Sequence, residues 1–323
     1  MQEQFCVDNS YMMRIVPIVF AFDRHLIFPA GVCLSSLMMS AKKDTFYDIF
    51  ILYSDEQVFE NSILKRIQDT FNNCRIQYRI VDNTFEQSYE IRGITTSAYH
   101  RLLIPELIPE YDKILYSDVD VIFRDDLSDL YNNVDLDGCY VAGVDSLAHL
   151  IPDLKEYYEI GRGTDSMGNI YSGNLILNSR KMREDRVVDE FRKHVDKKYK
   201  FQDMDIINLV CKNKIKYLPP FFCYTTYIAD FAVHNSDAIK GIWTEGQIKE
   251  AQERGVVHYN GQKPWKGVCV NFDIWWEYYR KSPLFDERFY FDFYHNKLDE
   301  LDQLPLLKRI KILLRYFVYG RKK

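Results

Sequence analysis

Ile15-Val-Pro-Ile-Val-Phe-Ala-Phe22, closed by Asp23, is an almost uniformly apolar run. A strand with one wet face alternates apolar and polar residues. This one does not, so it reads as a strand buried on both faces, as in a parallel sheet covered by helices. Ala30–Ser40 has helical character, and Phe46–Ser54 (FYDIFILYS) reads as a second buried strand. Asp55–Asn72 follows as a helix, and Arg75–Val81 alternates as a third strand. Strand, helix, strand, helix in this order predicts a doubly wound α/β domain. In such sheets ligands lie beyond the carboxyl ends of the strands, which is where Asp23 stands.

Lys113–Phe123 (KILYSDVDVIF) is the next strong strand, with a short helix expected over Asp125–Tyr131. Tyr140–Val144, Leu175–Asn178, Ile215–Leu218 and Gly255–Tyr259 read as further strands. Arg180–Tyr199 reads as one charged amphipathic helix and Gln202–Cys211 as another. From Asn271 the chain turns aromatic and helical. The expected organisation is one domain over residues 1–270 and a helical, aromatic and basic extension over 271–323.

The chain has 323 residues, 42 basic and 47 acidic, for a net charge of −5. With 47% apolar residues, disorder is excluded and a large core is available. The acidic balance argues against a nucleic-acid polymer as partner. Seven cysteines (6, 33, 74, 139, 211, 223 and 269) with no CxxC spacing argue against a disulfide scaffold or a thiolate zinc site, and for a reducing cytoplasm. Met1–Ser10 lacks the pattern of a signal peptide, and no apolar run approaches the roughly 18 residues of a spanning helix.

The net charge hides an asymmetry. Leu306–Lys323 carries seven bases and no acid, leaving −12 on the rest of the chain. In that tail Leu306, Leu307, Ile310, Leu313, Leu314 and Phe317 share one helical face, opposite Lys308, Lys311 and Arg315. Such a helix suits the surface of an anionic membrane, or a place on the core or on a second copy of the chain in a homo-oligomer.

Asp118-Val-Asp120 interrupts an apolar strand with two acids. Residues two apart on a strand point to the same side, so the carboxylates are expected to converge. Two desolvated like charges are costly unless a cation sits between them, and hard oxygen donors suit Mg²⁺ or Mn²⁺ bridging to a phosphate. His258-Tyr-Asn-Gly-Gln-Lys-Pro-Trp265 offers an imidazole as third ligand. It also offers a glycine for close backbone approach at Gly261 and a point charge for phosphate at Lys263.

Four blocks in order carry a resemblance. They are VFAFD at 19–23, YHRLLIPELIPEYDKILYSDVDVIF at 99–123, YSGNLILNS at 171–179 with FQDMDIIN at 201–208, and HYNGQKPW at 258–265. The chain resembles glycosyltransferase family 8, retaining enzymes that use UDP-sugars. The resemblance implies a glycosyltransferase-A type fold with a mixed sheet. It implies transfer of a hexose, glucose or galactose, to a saccharide or lipid-linked acceptor in bacterial lipopolysaccharide, capsule or cell-surface glycan synthesis. The expected location is the cytoplasm, peripheral on the inner face of the plasma membrane.

By position the resemblance implies that Asp118, Asp120 and His258 hold Mn²⁺ or Mg²⁺. Ala21 and Asp23 meet uracil and ribose, Arg101 the nucleotide sugar, and Gly261 and Lys263 the diphosphate. Asp145 and Asp203 hold the transferred sugar or acceptor hydroxyls at the catalytic centre, Asp203 being an alternative nucleophile to same-face attack. The chain departs from the family pattern at His25, Tyr171 and Met204, where the family often has Asn, Asn and Gln. Two other readings are a haloacid-dehalogenase-like phosphatase, from DVDVIF, and a UDP-sugar-binding protein that lost catalysis through Tyr171 and Met204.

Overall fold

The computed structural model describes residues 13–54, 62–82 and 96–319. The terminal segments, including Met1–Ser10, Cys6 and the last bases of the tail, lie outside the described residues, as does the start of the expected Asp55–Asn72 helix.

The apolar run forms β1 (Arg14–Ala21), near the middle of a seven-stranded sheet. It pairs in parallel with β2 (Thr45–Tyr53) from Arg14↔Thr45 to Ala21↔Leu52, and β3 (Cys74–Ile80) extends that side in parallel. On its other side β1 pairs in parallel with β4 (Ile114–Ser117). Beyond β4 the sheet becomes mixed. β7 (Asn174–Leu177) is antiparallel to both β4 and β6 (Val141–Gly143), and β8 (Ile215–Tyr217) is parallel to β6.

The reason for the uniform run is visible in the packing. Val16, Ile18 and Phe20 enter the core cluster that contains the Ile27–Ser40 helix. Val19 and Ala21, on the opposite face, enter the cluster that contains Leu102 and Leu103. Alternate residues thus serve two apolar layers, and neither face can be polar.

Two expected elements are corrected. Lys113–Phe123 is not one strand: it is divided into β4 and β5 (Val121–Phe123), in different sheets. β5 is antiparallel to β10 (Val256–His258), which is parallel to β9 (Tyr224–Thr225), in a separate three-stranded sheet. The switch falls on the acids. The Asp118 amide donates to Gly173 O at 2.7 Å, alongside the main sheet, while Asp120 O accepts from the Tyr259 amide at 2.9 Å, alongside the small one. Arg180–Tyr199 is likewise interrupted. Helices Ser179–Glu184 and Val187–Arg192 are separated by Arg186, whose φ of 56° breaks the helical path.

Past residue 270, Trp275, Trp276 and Tyr279 of the Phe272–Lys281 helix are fully buried in the same cluster as β1 and the Ile27–Ser40 helix. Trp276 Nε1 donates to Pro264 O at 3.2 Å, and Trp265 packs against Trp275 with ring centroids 5.5 Å apart. The aromatic helix therefore buttresses the HYNGQKPW segment. Among the described residues all six cysteines are free.

Candidate active site

The strand directions bring one edge of the main sheet together. β1, β4 and β6 end there, and antiparallel β7 begins there. Asp23, Asp118, Asp145 and Gly173 therefore all leave the sheet at the same edge, which is the ligand edge of such folds.

At that edge Asp118, Asp120 and His258 each present a potential ligand atom, and the three atoms lie within 4.8 Å of one another. His258 Nε2 is 3.3 Å from Asp120 Oδ1 and 3.7 Å from Asp118 Oδ2. The remaining carboxylate oxygens are held by the protein. Tyr116 donates its hydroxyl to Asp118 Oδ1 at 2.8 Å, and Arg101 Nη2 reaches the same oxygen at 2.8 Å. Lys263 Nζ donates to Asp120 Oδ2 at 2.5 Å and to Tyr259 O at 2.6 Å. Two carboxylates, each braced from behind, and an imidazole are a hard O,O,N donor set that fits a divalent cation such as Mn²⁺ or Mg²⁺.

The convergence has a different origin from the one expected. It comes from the crossing between sheets: Val119 is buried while the acids on either side of it face the site, and His258 stands opposite Val121 in the β5–β10 pair. A charged pair cannot continue inside a row buried on both faces, so it sits where the row ends.

The electrostatics are strongly coupled. Burial would lower the His258 pKa, but the Asp120 carboxylate outweighs it and the group rises to about 10. Burial would raise that of Asp120, but Lys263 and His258 hold it well below the carboxylate range. Asp203 is pushed up to about 6 by burial, against Arg101 and with the like charge of Asp118.

Arg101 is a buried brace. Its Nε donates to Ala98 O at 2.9 Å and lies 3.2 Å from Asp203 Oδ2, and its Nη1 donates to Ser172 O at 2.7 Å. Its guanidinium also lies 4.4 Å from the centroid of the Tyr116 ring. Asp203 reaches it from the first turn of the Gln202–Val210 helix, where free amides favour an anion.

The other expected residues take these places. Ala21 ends β1, one residue past the Phe20↔Ser117 pair. Asp23 accepts from His25 N at 2.9 Å and so caps the short turn after β1. Asp145 accepts from Leu147 N at 2.7 Å, and burial raises its pKa. Gly261 is not demanded by packing, since a Cβ there would have Thr226 Oγ1 at 3.9 Å as its nearest neighbour. Tyr171 is buried in the core, and Met204 is partly buried against it.

Gly173 was missed in the sequence. A Cβ at this position would stand 2.2 Å from His258 Cε1 and 2.8 Å from Asp118 Oδ2. The available signal was a glycine directly before a buried strand, a mark of close approach. Gly173→Ala is therefore expected to weaken divalent-cation binding by at least about tenfold, by displacing two ligands. Mn²⁺ titration followed by electron paramagnetic resonance would show it, and unchanged affinity would remove Gly173 from the site.

The chain is similar to known proteins in sequence and in fold. The model of the family described as "Glycosyl transferase family 8" matches residues 17–269. A putative glycosyltransferase of Haemophilus influenzae is 26% identical over 218 residues, 64% of this chain. The match covers 63% of that protein, so the chain spans less than two thirds of its length. The lipopolysaccharide 1,2-glucosyltransferase of Escherichia coli is 23% identical over 76% of this chain and 72% of its own length. The solved structure of galactosyltransferase LgtC with donor and acceptor sugar analogues superposes with a TM-score of 0.66 at 22% identity. That superposition covers 84% of this chain and 98% of the other, and shows the shared fold. The phosphatase reading falls with these matches, since the acidic pair closes the fourth strand rather than the first. The chain belongs to glycosyl transferase family 8, with the mixed sheet of the A-type fold.

Proposed function

We propose that the chain transfers a hexose, glucose or galactose, from a UDP-sugar to a saccharide or lipid-linked acceptor with retention of configuration, in bacterial surface-glycan synthesis of the lipopolysaccharide type. The observation that carries this reading is the convergence of Asp118, Asp120 and His258 at the ligand edge of the sheet. When bound by these three residues, Mn²⁺ or Mg²⁺ supplies Lewis-acid neutralisation of the leaving diphosphate.

The chain's own residues do the rest. Lys263, close to Asp120, adds a fixed positive charge for the diphosphate, and the open backbone at Gly261 lets phosphate oxygens approach. Asp23 and the end of β1 at Ala21 receive the uridine, and Arg101 holds the site's carboxylates on the donor side. Asp203 and Asp145 accept hydrogen bonds from sugar hydroxyls. In same-face attack the acceptor oxygen bonds to the anomeric carbon, the sugar–phosphate bond breaks, and the departing phosphate oxygen takes the acceptor proton.

Incubation with UDP-glucose and UDP-galactose, with Mn²⁺ and with chelator, tests this. UDP release that requires the metal is expected. Tight donor binding with no release, with or without an acceptor sugar, would make the chain a binding protein instead.

The tail supports a peripheral membrane site. Leu306–Tyr319 is a helix, and Leu306, Leu307, Leu313 and Leu314 are all more than half exposed, beside exposed Lys308 and Lys311. Among the described residues no helix is long and apolar enough to cross a membrane. Deleting residues 306–323 is expected to abolish co-sedimentation with anionic vesicles, and equal sedimentation of both forms would refute the role.

A further inference from the structure

We propose that Cys223 is the positioning residue for His258, its sulfur accepting the Nδ1 proton so that Nε2 is fixed toward Asp118 and Asp120. The proposal rests on the reading of those three residues as a cation site.

The geometry is direct. Cys223 Sγ and His258 Nδ1 are 3.5 Å apart, and both side chains are buried. The other ring nitrogen, Nε2, is the one that faces the two carboxylates. A nitrogen that binds a cation must offer its lone pair, so the ring proton then resides on Nδ1. That proton points into a dry part of the fold and requires an acceptor there, and sulfur is a weak acceptor at a suitable distance.

Cys223 is held independently of the imidazole. Its amide donates to Pro220 O at 3.1 Å, closing the Pro220–Phe222 turn, and the next two residues form β9. β9 runs parallel to β10, with Val257↔Tyr224 and His258↔Thr225 paired. The sulfur, on the residue that leads into β9, and the imidazole, on β10, are therefore brought together by the ladder between these two strands. Beside Cε1 and Nδ1 of the ring, Gly173 leaves no space for a side chain. The ring is confined by backbone on one side and tethered by sulfur at Nδ1.

Charge explains why a thiol suits this place. Ligand histidines commonly give the second N–H to a carboxylate or a carbonyl. Asp118, Asp120 and Asp203 already crowd the site, against Arg101 and Lys263. A fourth carboxylate would add a desolvated negative charge. A neutral thiol orients the ring without adding one.

The test compares Cys223→Val, similar in size but without an acceptor, with Cys223→Ser, which keeps one. Mn²⁺ affinity is read by electron paramagnetic resonance, and the His258 Nδ1–H resonance by NMR of the ¹⁵N-histidine protein without metal. Thermal unfolding checks that both variants fold. Expected are a loss of Mn²⁺ affinity of about 10- to 100-fold in Cys223→Val, with its Nδ1–H signal shifted or lost to exchange, and near wild-type values in Cys223→Ser. Mn²⁺ affinity in Cys223→Val within twofold of wild type would overturn the proposal, as would equal losses in both variants. A wild-type protein that bound no Mn²⁺ would overturn the cation site itself. The NMR arm would then judge the tether alone: an Nδ1–H signal unmoved by Cys223→Val would refute it, and a moved one would support it.

Discussion

Asp120→Asn is expected to lower metal-dependent UDP-sugar turnover by at least about 10³-fold while leaving the fold intact. Asparagine matches aspartate in shape, so the crossing between β4 and β5 is preserved, as is the Tyr259 amide bond to residue 120 O. The charge is lost. Asp120 now balances Lys263 on one oxygen and His258 on the other. Without it two cationic or proton-bearing groups face a neutral amide, and the place where a cation would sit becomes electrostatically hostile. Asp118→Ala should be equally inactive, and should also free one branch of Arg101. UDP release at saturating donor and metal, beside thermal unfolding curves, checks both. Turnover within tenfold of wild type in either variant would sink the assignment of the acids.

Arg101→Met is expected to cost about 3–5 kcal/mol of stability near neutral pH, the range for removing one partner from a buried ion pair. Arg101 is 7% exposed and lies between Asp118 and Asp203, so its loss leaves the buried Asp203 and the partly buried Asp118 without the charge that separates them. The effect carries a pH signature whose sign follows from Asp203. Its pKa is already raised to about 6, above the usual value of about 3.9, mainly by burial. A carboxyl raised on folding binds more protons in the folded state, so stability falls as pH rises through that interval. Without Arg101, which lowers the Asp203 pKa, the interval widens upward. The penalty should be larger at pH 8 than at pH 5, where a protonated Asp203 removes the repulsion. Unfolding midpoints of wild type and variant at the two pH values measure this. An equal difference at both would show that Asp203 does not depend on Arg101.

The double burial of β1 was legible because hydrophobic periodicity is a local property of a strand, and Val19 and Phe20 need only their own alternation to report two apolar faces. The acidic pair was legible as chemistry because charges inside an apolar run are costly wherever they lie. The geometry that makes them converge was not. A continuous strand over 113–123 and a strand that switches sheets have the same apolar pattern, and the difference lies in partners remote in sequence, Gly173 on one side and Tyr259 on the other.

The same holds for the supporting groups. Ser172 beside Arg101 and Tyr116 beside Asp118 are ordinary residues in ordinary contexts. Cys223 reads as one more buried cysteine until β9 is paired with β10.

By itself the sequence determined the layered α/β core, the ligand edge and the acidic residue types of a candidate cation site, because these follow from periodicity and from the cost of burying charge. Only the tertiary structure decided which oxygens of Asp118 and Asp120 are left for a ligand and what holds His258. Those outcomes depend on distances between strands far apart along the chain, which hydrogen-bond pairing sets and local pattern does not encode.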